Sequence, residues 1–333
     1  MQEILQSNLK WLQNCLKLED LKTLSVISFC LRSGILDFLE KERSIEDVAN
    51  HFGYDLRITK ALIFLLKYQG LIEGNEKFRI SKICRILFGK DSKFSITELI
   101  QEKIEEAEKW LKFENMLFRE VRNEANFFKK RIVTLGKFAI LGDIKIVKRV
   151  AELEEFKNAR RLLDLGGGHG FYSYAFTMLN ENLKAYVFDL PEVVEVSREL
   201  MKNLDAERVD FIAGDFFKDS LGSSFDIVFS SFNPGGKRAE LIPKIYNSLN
   251  PGGVYVNRQF FPENDFRVRD FEWNLWSFEK LEKDFKSFTF KGDLSLRDYI
   301  EELKKKKFKI LKILKEDYSV IFAKKPNFLP KSL

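Results

Sequence analysis

Apolar positions follow two different rhythms along this chain. Up to about residue 90 they recur at helical spacing. Leu24, Ile27, Leu31, Ile35 and Leu39 mark an amphipathic helix over Leu21 to Glu40 that Gly34 interrupts. Ser44, with Asp47 three residues on, fits an N-cap for a short helix from Ile45 to His51, and Gly53 ends it. A third helix runs from Leu56 to Gln69 and stops at Gly70; the turn Gly74-Asn75 then leads into a short strand at Phe78-Arg-Ile80. Beyond residue 160 the rhythm changes to short apolar runs that end in glycine, acid or small polar residues. These are Leu162 to Leu165, Ala185 to Asp189, Val209 to Ala213, Phe225 to Ser231 and Val254 to Asn257. With helical stretches at Phe171 to Asn180 and Leu241 to Leu249 between them, such runs predict a mostly parallel sheet covered on both faces. Phe308 to Leu314 and Tyr318 to Ala323 predict a closing antiparallel hairpin. In the middle, Ile104 to Phe118 and Leu141 to Phe156 read as helices, and the basic stretch Asn126 to Lys137 as a solvated helix end. Three regions follow: a helical domain over 1–90, a helical linker over 91–155, and an α/β domain over 156–333.

Composition narrows the class. The chain has 333 residues, 45% hydrophobic and 32% charged, which suits a globular protein of about two domains. A net charge of +6, from 56 basic and 50 acidic residues, is too mild to argue for nucleic acid by itself. Cys15, Cys30 and Cys84 are far apart and form no metal-ligand or disulfide pattern. No apolar run reaches the length of a membrane span, and the polar start Met1-Gln-Glu is unlike a signal peptide. A cytoplasmic location is expected.

The chemistry starts at Asp164-Leu-Gly-Gly-Gly-His-Gly170. A strand, a glycine turn and a helix are how open parallel sheets build a ligand crevice. A dinucleotide fingerprint needs a small residue at position 171, and this chain has Phe171, so a nucleoside brought close to the glycines is the better fit. Asp189 ends the next strand, where a carboxylate can accept from both hydroxyls of a ribose. Gly214-Asp215-Phe216-Phe217 follows the third strand. Asp215 can accept from an adenine amine while Phe216 or Phe217 packs on its ring. Ser231 ends the fourth strand at the same crevice.

Taken together these motifs resemble the two-domain small-molecule methyltransferases typified by plant caffeate-type O-methyltransferases and bacterial hydroxyneurosporene and bacteriochlorophyll methyltransferases. The resemblance covers nearly the whole chain and includes Ser33 to Leu39, Leu65 to Ile72, Asp164 to Gly170, Val187 to Val194, Gly214 to Phe217, Asn274 to Phe278 and Phe290 to Tyr299. It implies a Rossmann-like α/β sheet behind an N-terminal winged-helix-like dimerisation domain, with S-adenosylmethionine as cofactor. It places Gly166 and Gly168 near the methionine part, Asp189 at the ribose, and Asp215 with Phe216 at the adenine. Ser231 falls where the family often has a cofactor-contacting Lys. A homodimer and a small-molecule acceptor are expected, and no metal. A winged helix can also mean DNA. However, Leu56 to Gln69 carries only Arg57, Lys60 and Lys67 as cations and is apolar around most of its circumference, so packing is favoured over groove reading.

One departure has chemical content. Plant-type members carry a His-Asp-Trp run after the fourth strand, and its His is the general base. Here the stretch is Ser230-Ser-Phe-Asn-Pro-Gly-Gly-Lys237, and the chain's two histidines are His51 and His169. His169, inside the glycine turn, is expected to face solvent. The missing His leaves three options: another base, a nucleophile that needs none, or cofactor binding without efficient turnover. Arg258 is a candidate for holding an acidic substrate and Asn233 for orienting one. Trp273 and Trp276, expected on one helix, are candidates for a planar or lipophilic acceptor pocket. Oxygen is the expected acceptor atom. Carbon or nitrogen transfer remains open, as does a winged-helix regulator that senses S-adenosylmethionine.

Overall fold

The computed structural model describes residues 18–118, 120–202, 204–261, 267–279 and 282–327. Cys15 and the start Met1-Gln-Glu lie outside them. The chain forms two units, Met1–Phe113 and Glu114–Leu333. The segment 91–155 thus divides: helix Thr97–Trp110 falls within the first unit and helix Glu124–Phe138 within the second.

In the first unit, helices Glu19–Ser33 and Ile35–Phe38 are separated by Gly34, whose φ of +81° is the left-handed conformation that glycine adopts without strain. Ser44 caps helix Ile45–Phe52 in a reciprocal capping box with Asp47. Helix Leu56–Tyr68 follows, then strands β1 (Ile72–Gly74) and β2 (Phe78–Ile80), paired antiparallel. Val48, Ile63, Leu66, Phe78 and Ile80 form the core of this unit, with Cys30 and Cys84 buried among them. The side chains of Leu56, Ile58, Phe64 and Tyr68 are exposed on helix Leu56–Tyr68.

The second unit begins with β3 (Glu120–Arg122) and is dominated by a seven-stranded sheet. Its strands are β4 (Arg161–Leu165), β5 (Lys184–Asp189), β6 (Val209–Ala213), β7 (Phe225–Ser231), β8 (Leu249–Gln259), β10 (Lys309–Lys315) and β11 (Ser319–Lys324). The order is β10-β11-β8-β7-β4-β5-β6; only β11 runs antiparallel to its neighbours. Alternate residues feed two cores. Leu163, Leu165, Phe188, Val228 and Tyr255 pack on one face, against Ile242, Ile245 and Leu303. Leu162, Ala185, Ile227, Phe229 and Val256 pack on the other, against Val147, Val150 and Phe176. Both faces are covered, which is why the strands read as continuous apolar runs. The chain leaves β4 for β5 on one side and later returns to place β7 on the other. A crevice opens at such a reversal, beyond the carboxyl ends of the strands.

Three expectations about local structure change. The helix expected over Leu141 to Phe156 is broken: Gly142 takes a non-helical conformation, and Lys145–Ala151 and Glu154–Lys157 are separate helices. The charged helix lies at Thr97–Trp110, with a 3₁₀ turn at Phe113–Met116. Trp273 and Trp276 do not share a helix. Trp273 is the penultimate residue of helix Val268–Asn274, and Trp276 opens β9 (Trp276–Phe278), which pairs in parallel with β3.

Candidate functional site

The glycine turn after β4 is shaped by its own neighbours. Gly166, Gly168 and Gly170 have φ of +66°, +48° and +75°. A Cβ on Gly166 would lie 2.7 Å from that of Asn233, and one on Gly167 only 2.6 Å from Asp164 Cγ. The turn therefore needs glycine for close packing as well as for backbone conformation. Gly168 N–H donates to Asp189 Oδ2 at 2.9 Å, and Leu190 N–H donates to Asp189 Oδ1 at 2.8 Å. The end of β5 is thus tied to the turn. Burial pushes the Asp189 carboxyl up to about 6; those two amides oppose the shift and Glu192 adds to it. Asp164 lies fully buried beneath the turn, where its Oδ2 accepts from Ser173 Oγ at 2.8 Å. Burial raises it to about 7, against the Ser173 hydroxyl and with a further push from Asp189.

A cavity of about 540 Å³ opens over this turn. Ligand pockets commonly fall between about 300 and 1,000 Å³. Gly166, Gly168, Asp189, Asp215, Phe216, Ser231 and Asn233 all line it. Four strand ends that are far apart in sequence meet there. Asp215 Oδ1 accepts from Phe217 N–H at 2.9 Å, and its Oδ2 lies 3.2 Å from Lys218 Nζ. Phe216 is buried and meets Phe217 edge-on, with centroids 4.8 Å apart. Ser231 Oγ is buried and has no hydrogen-bond partner among the described residues. A buried hydroxyl in that condition on a cavity wall fits a polar ligand atom.

The remaining candidates have other surroundings. Asn233 is held from three sides. Its Nδ2 donates to Leu165 O at 2.6 Å and Ser230 Oγ at 2.7 Å, and its Oδ1 accepts from Gly235 N–H. It ties β4 to the segment after β7. Arg258 lies outside the cavity lining, fully buried between the rings of Phe232 and Tyr318 at 4.3 and 4.2 Å. Its NH1 donates to Tyr172 OH at 3.3 Å. Trp273 and Trp276 also lie off the cavity wall, in an aromatic cluster with Phe127, Phe128 and Phe278. That cluster revises the basic stretch too: Phe127 and Phe128 pack inward. His169 is buried, not solvent-facing. Its Nδ1 accepts from Phe171 N–H at 3.1 Å, and its ring sits 4.9 Å from Tyr172.

Several wall residues carry no motif: Tyr172, Phe232, Glu279, Phe128 and Ile132. Phe232 is the one with a usable signal, standing in the stretch that departs from the expected His-Asp-Trp run. Its φ of +53° is unusual for a residue with a Cβ, and its ring stacks on Phe260 at 4.6 Å. Lys237 closes the same stretch. Its Nζ lies 3.0 Å from Asp293 Oδ2, both side chains 1% exposed, and it also donates to the carbonyls of Phe260 and Phe288.

A family model described as an O-methyltransferase domain matches residues 115–256. The chain is 36% identical over 306 residues to an uncharacterised protein of Methanocaldococcus jannaschii, covering 86% of this chain and 82% of that one. Human acetylserotonin O-methyltransferase is 35% identical over 95 residues, 28% of each chain. Among solved structures, an O-methyltransferase family protein from Burkholderia thailandensis superposes with a TM-score of 0.62 at 16% identity, covering 95% of this chain and 98% of that one. Human N-acetylserotonin methyltransferase in complex with SAM superposes with a TM-score of 0.60 at 18% identity, covering 96% and 98%. At these identities the two superpositions are likenesses of fold.

Proposed function

We propose that this chain, which belongs to the S-adenosylmethionine-dependent O-methyltransferase family, methylates a small aromatic or lipophilic acceptor at oxygen without the family's catalytic His. Its cofactor is S-adenosylmethionine, which supplies a methyl carbon made electrophilic by a sulfonium. The observation that carries the reading is the convergence of the glycine turn, Asp189, Asp215 with Phe216, and Ser231 on one cavity. Asp189 would take the ribose hydroxyls, Asp215 and Phe216 the adenine, and Gly166 and Gly168 the methionine part. Ser231 would satisfy its hydroxyl on the same ligand.

The rest of the chemistry is alignment. An in-line methyl transfer needs the nucleophile held at the right distance and angle, which is worth several orders of magnitude in rate. Phe128, Ile132, Leu135 and Phe232 give the cavity an apolar wall that suits a flat acceptor and displaces water. Asn233 acts on the turn, as a positioning residue. Tyr172 is the phenol on this wall, and Arg258 holds its oxygen by donating to it. Tyr172 is our candidate for the hydroxyl that orients a phenolic acceptor by hydrogen bonding, with the acceptor proton passing to water. Labelled cofactor incubated with phenols, catechols, quinols and tetrapyrroles, read by mass spectrometry, is expected to give an oxygen-linked methyl on at least one of them. Exclusive N- or C-methyl products would overturn the oxygen assignment.

The exposed apolar residues of helix Leu56–Tyr68 fit a homodimer formed through the N-terminal unit. DNA reading is disfavoured there. Lys67 Nζ is engaged with Gly74 O and Asn75 Oδ1, and Arg57 is the helix's one arginine. Light scattering giving a dimer mass checks the first point. Sequence-specific DNA binding that survives moderate salt would overturn the second. Among the described residues no helix is long and apolar enough to cross a membrane.

A further inference from the structure

The walls of the cavity differ in origin and in charge. Five carboxyl side chains line it: Asp164, Asp189, Glu192, Asp215 and Glu279. The one lysine on the wall, Lys218, is paired with Asp215 at 3.2 Å. Arg258, the cation that could have met an acidic acceptor, is withdrawn behind Phe232 and sandwiched by aromatic rings. Burial moves Asp164 to about 7, so it is partly neutral near neutrality, and the balance stays negative without it.

Two of these acids belong to the nucleoside in the reading above. Glu279 does not. Strands β3 and β9 run in parallel, with Arg122 opposite Phe278. The next residue on each, Asn123 and Glu279, therefore emerge side by side, and both reach the cavity beside Phe128. This wall comes from the start of helix Glu124–Phe138 and the end of β9, not from the strand ends that carry the glycine turn. Glu279 is exposed, so its carboxylate meets a ligand without being buried first.

Resting on that methyltransferase reading, we infer that the acceptor is an uncharged or amine-bearing aromatic, not an aromatic acid, and that Glu279 with Phe128 and Asn123 receives its polar tail. A carboxylate brought into this cavity meets uncompensated like charge. A protonated amine meets an opposite charge beside an aromatic ring, two favourable contacts for a cation. The amine is a handle here; while protonated it has no lone pair to be methylated.

The test uses three probes that share one phenol and differ in the tail: tyramine, tyrosol and para-hydroxyphenylacetate. The full-length protein is first saturated with S-adenosylhomocysteine, and probe binding is followed by calorimetry. Tyramine is expected to bind at least about tenfold more tightly than para-hydroxyphenylacetate, with tyrosol between them. Raising the salt should narrow that ratio, since it rests on partly exposed charge. Glu279→Gln should cut it several-fold through weaker tyramine binding, with S-adenosylhomocysteine affinity serving as the check that the variant is folded. Equal or tighter binding of the acid would overturn the inference, as would binding of none of the three. Failure of S-adenosylhomocysteine itself to bind would instead bring down the methyltransferase reading beneath it.

Discussion

The proposed cofactor side and the proposed acceptor side of the cavity are built in opposite ways. The groups proposed for the cofactor sit within a few residues of strand ends, and both of their carboxylates accept from backbone amides. Asp189 is gripped by Gly168 and Leu190, and Asp215 by Phe217. The acceptor side is assembled from pieces distant in sequence: Asn123 and Phe128, Phe232, then Glu279. Its supports are long-range as well, above all the Lys237–Asp293 pair and the Trp273–Trp276–Phe278 cluster. Local construction yields a recurrent motif, whereas distributed construction lets the acceptor change while the cofactor site stays put.

The largest effect should come from the brace of the acceptor side. Lys237→Met leaves Asp293 buried without its cation, and removing one partner of a buried pair costs about 3–5 kcal/mol. Denaturant unfolding measures it; a loss below about 1 kcal/mol would mean that the two sides do not differ in this way. Gly166→Ala comes next. A left-handed φ and a Cβ 2.7 Å from Asn233 predict about 1–3 kcal/mol of destabilisation together with loss of cofactor binding.

A pH experiment addresses Asp164 beneath the turn. Its folded-state value of about 7 lies above the ordinary 3.8, so the native state holds this proton more tightly than the unfolded chain does. The stability it contributes is complete below about pH 4 and is lost as the pH rises through about 7. Asp164→Asn keeps an oxygen for Ser173 and carries no charge. Relative to wild type, its Tm should therefore gain steadily across that window, and a constant difference would refute the assignment. Asp189→Ala should weaken S-adenosylmethionine at least about tenfold by calorimetry, the scale of a lost charged hydrogen bond. The smallest change is expected for Ser231→Ala, about two- to tenfold in the same measurement, since one neutral hydrogen bond is at stake.

Legibility in the sequence follows the same division. The strands, the glycine turn, the cap at Ser44 and the break at Gly34 could be read because each depends on a few consecutive residues. The inward packing of His169 could not, since it depends on the Tyr172 ring and on the Phe171 amide folding back. Arg258 looked like a hand for an acidic substrate because it follows the strand expected over Val254 to Asn257, whereas β8 runs through it. Only the rings of Phe232, just after β7, and Tyr318, in the turn before β11, withdraw it. Trp273 and Trp276 looked like pocket residues because they are close in sequence, yet the chain changes from helix to strand between them.

What the sequence determined alone is the sheet, its crevice and the residues proposed for a nucleoside, because strand periodicity and glycine turns are short-range properties. What the tertiary structure decided is the sign and shape of the acceptor wall. Charge in a cavity is a sum over side chains brought together by folding. Glu279 enters that sum because β9 pairs with β3, and Arg258 leaves it because the rings of Phe232 and Tyr318 enclose it.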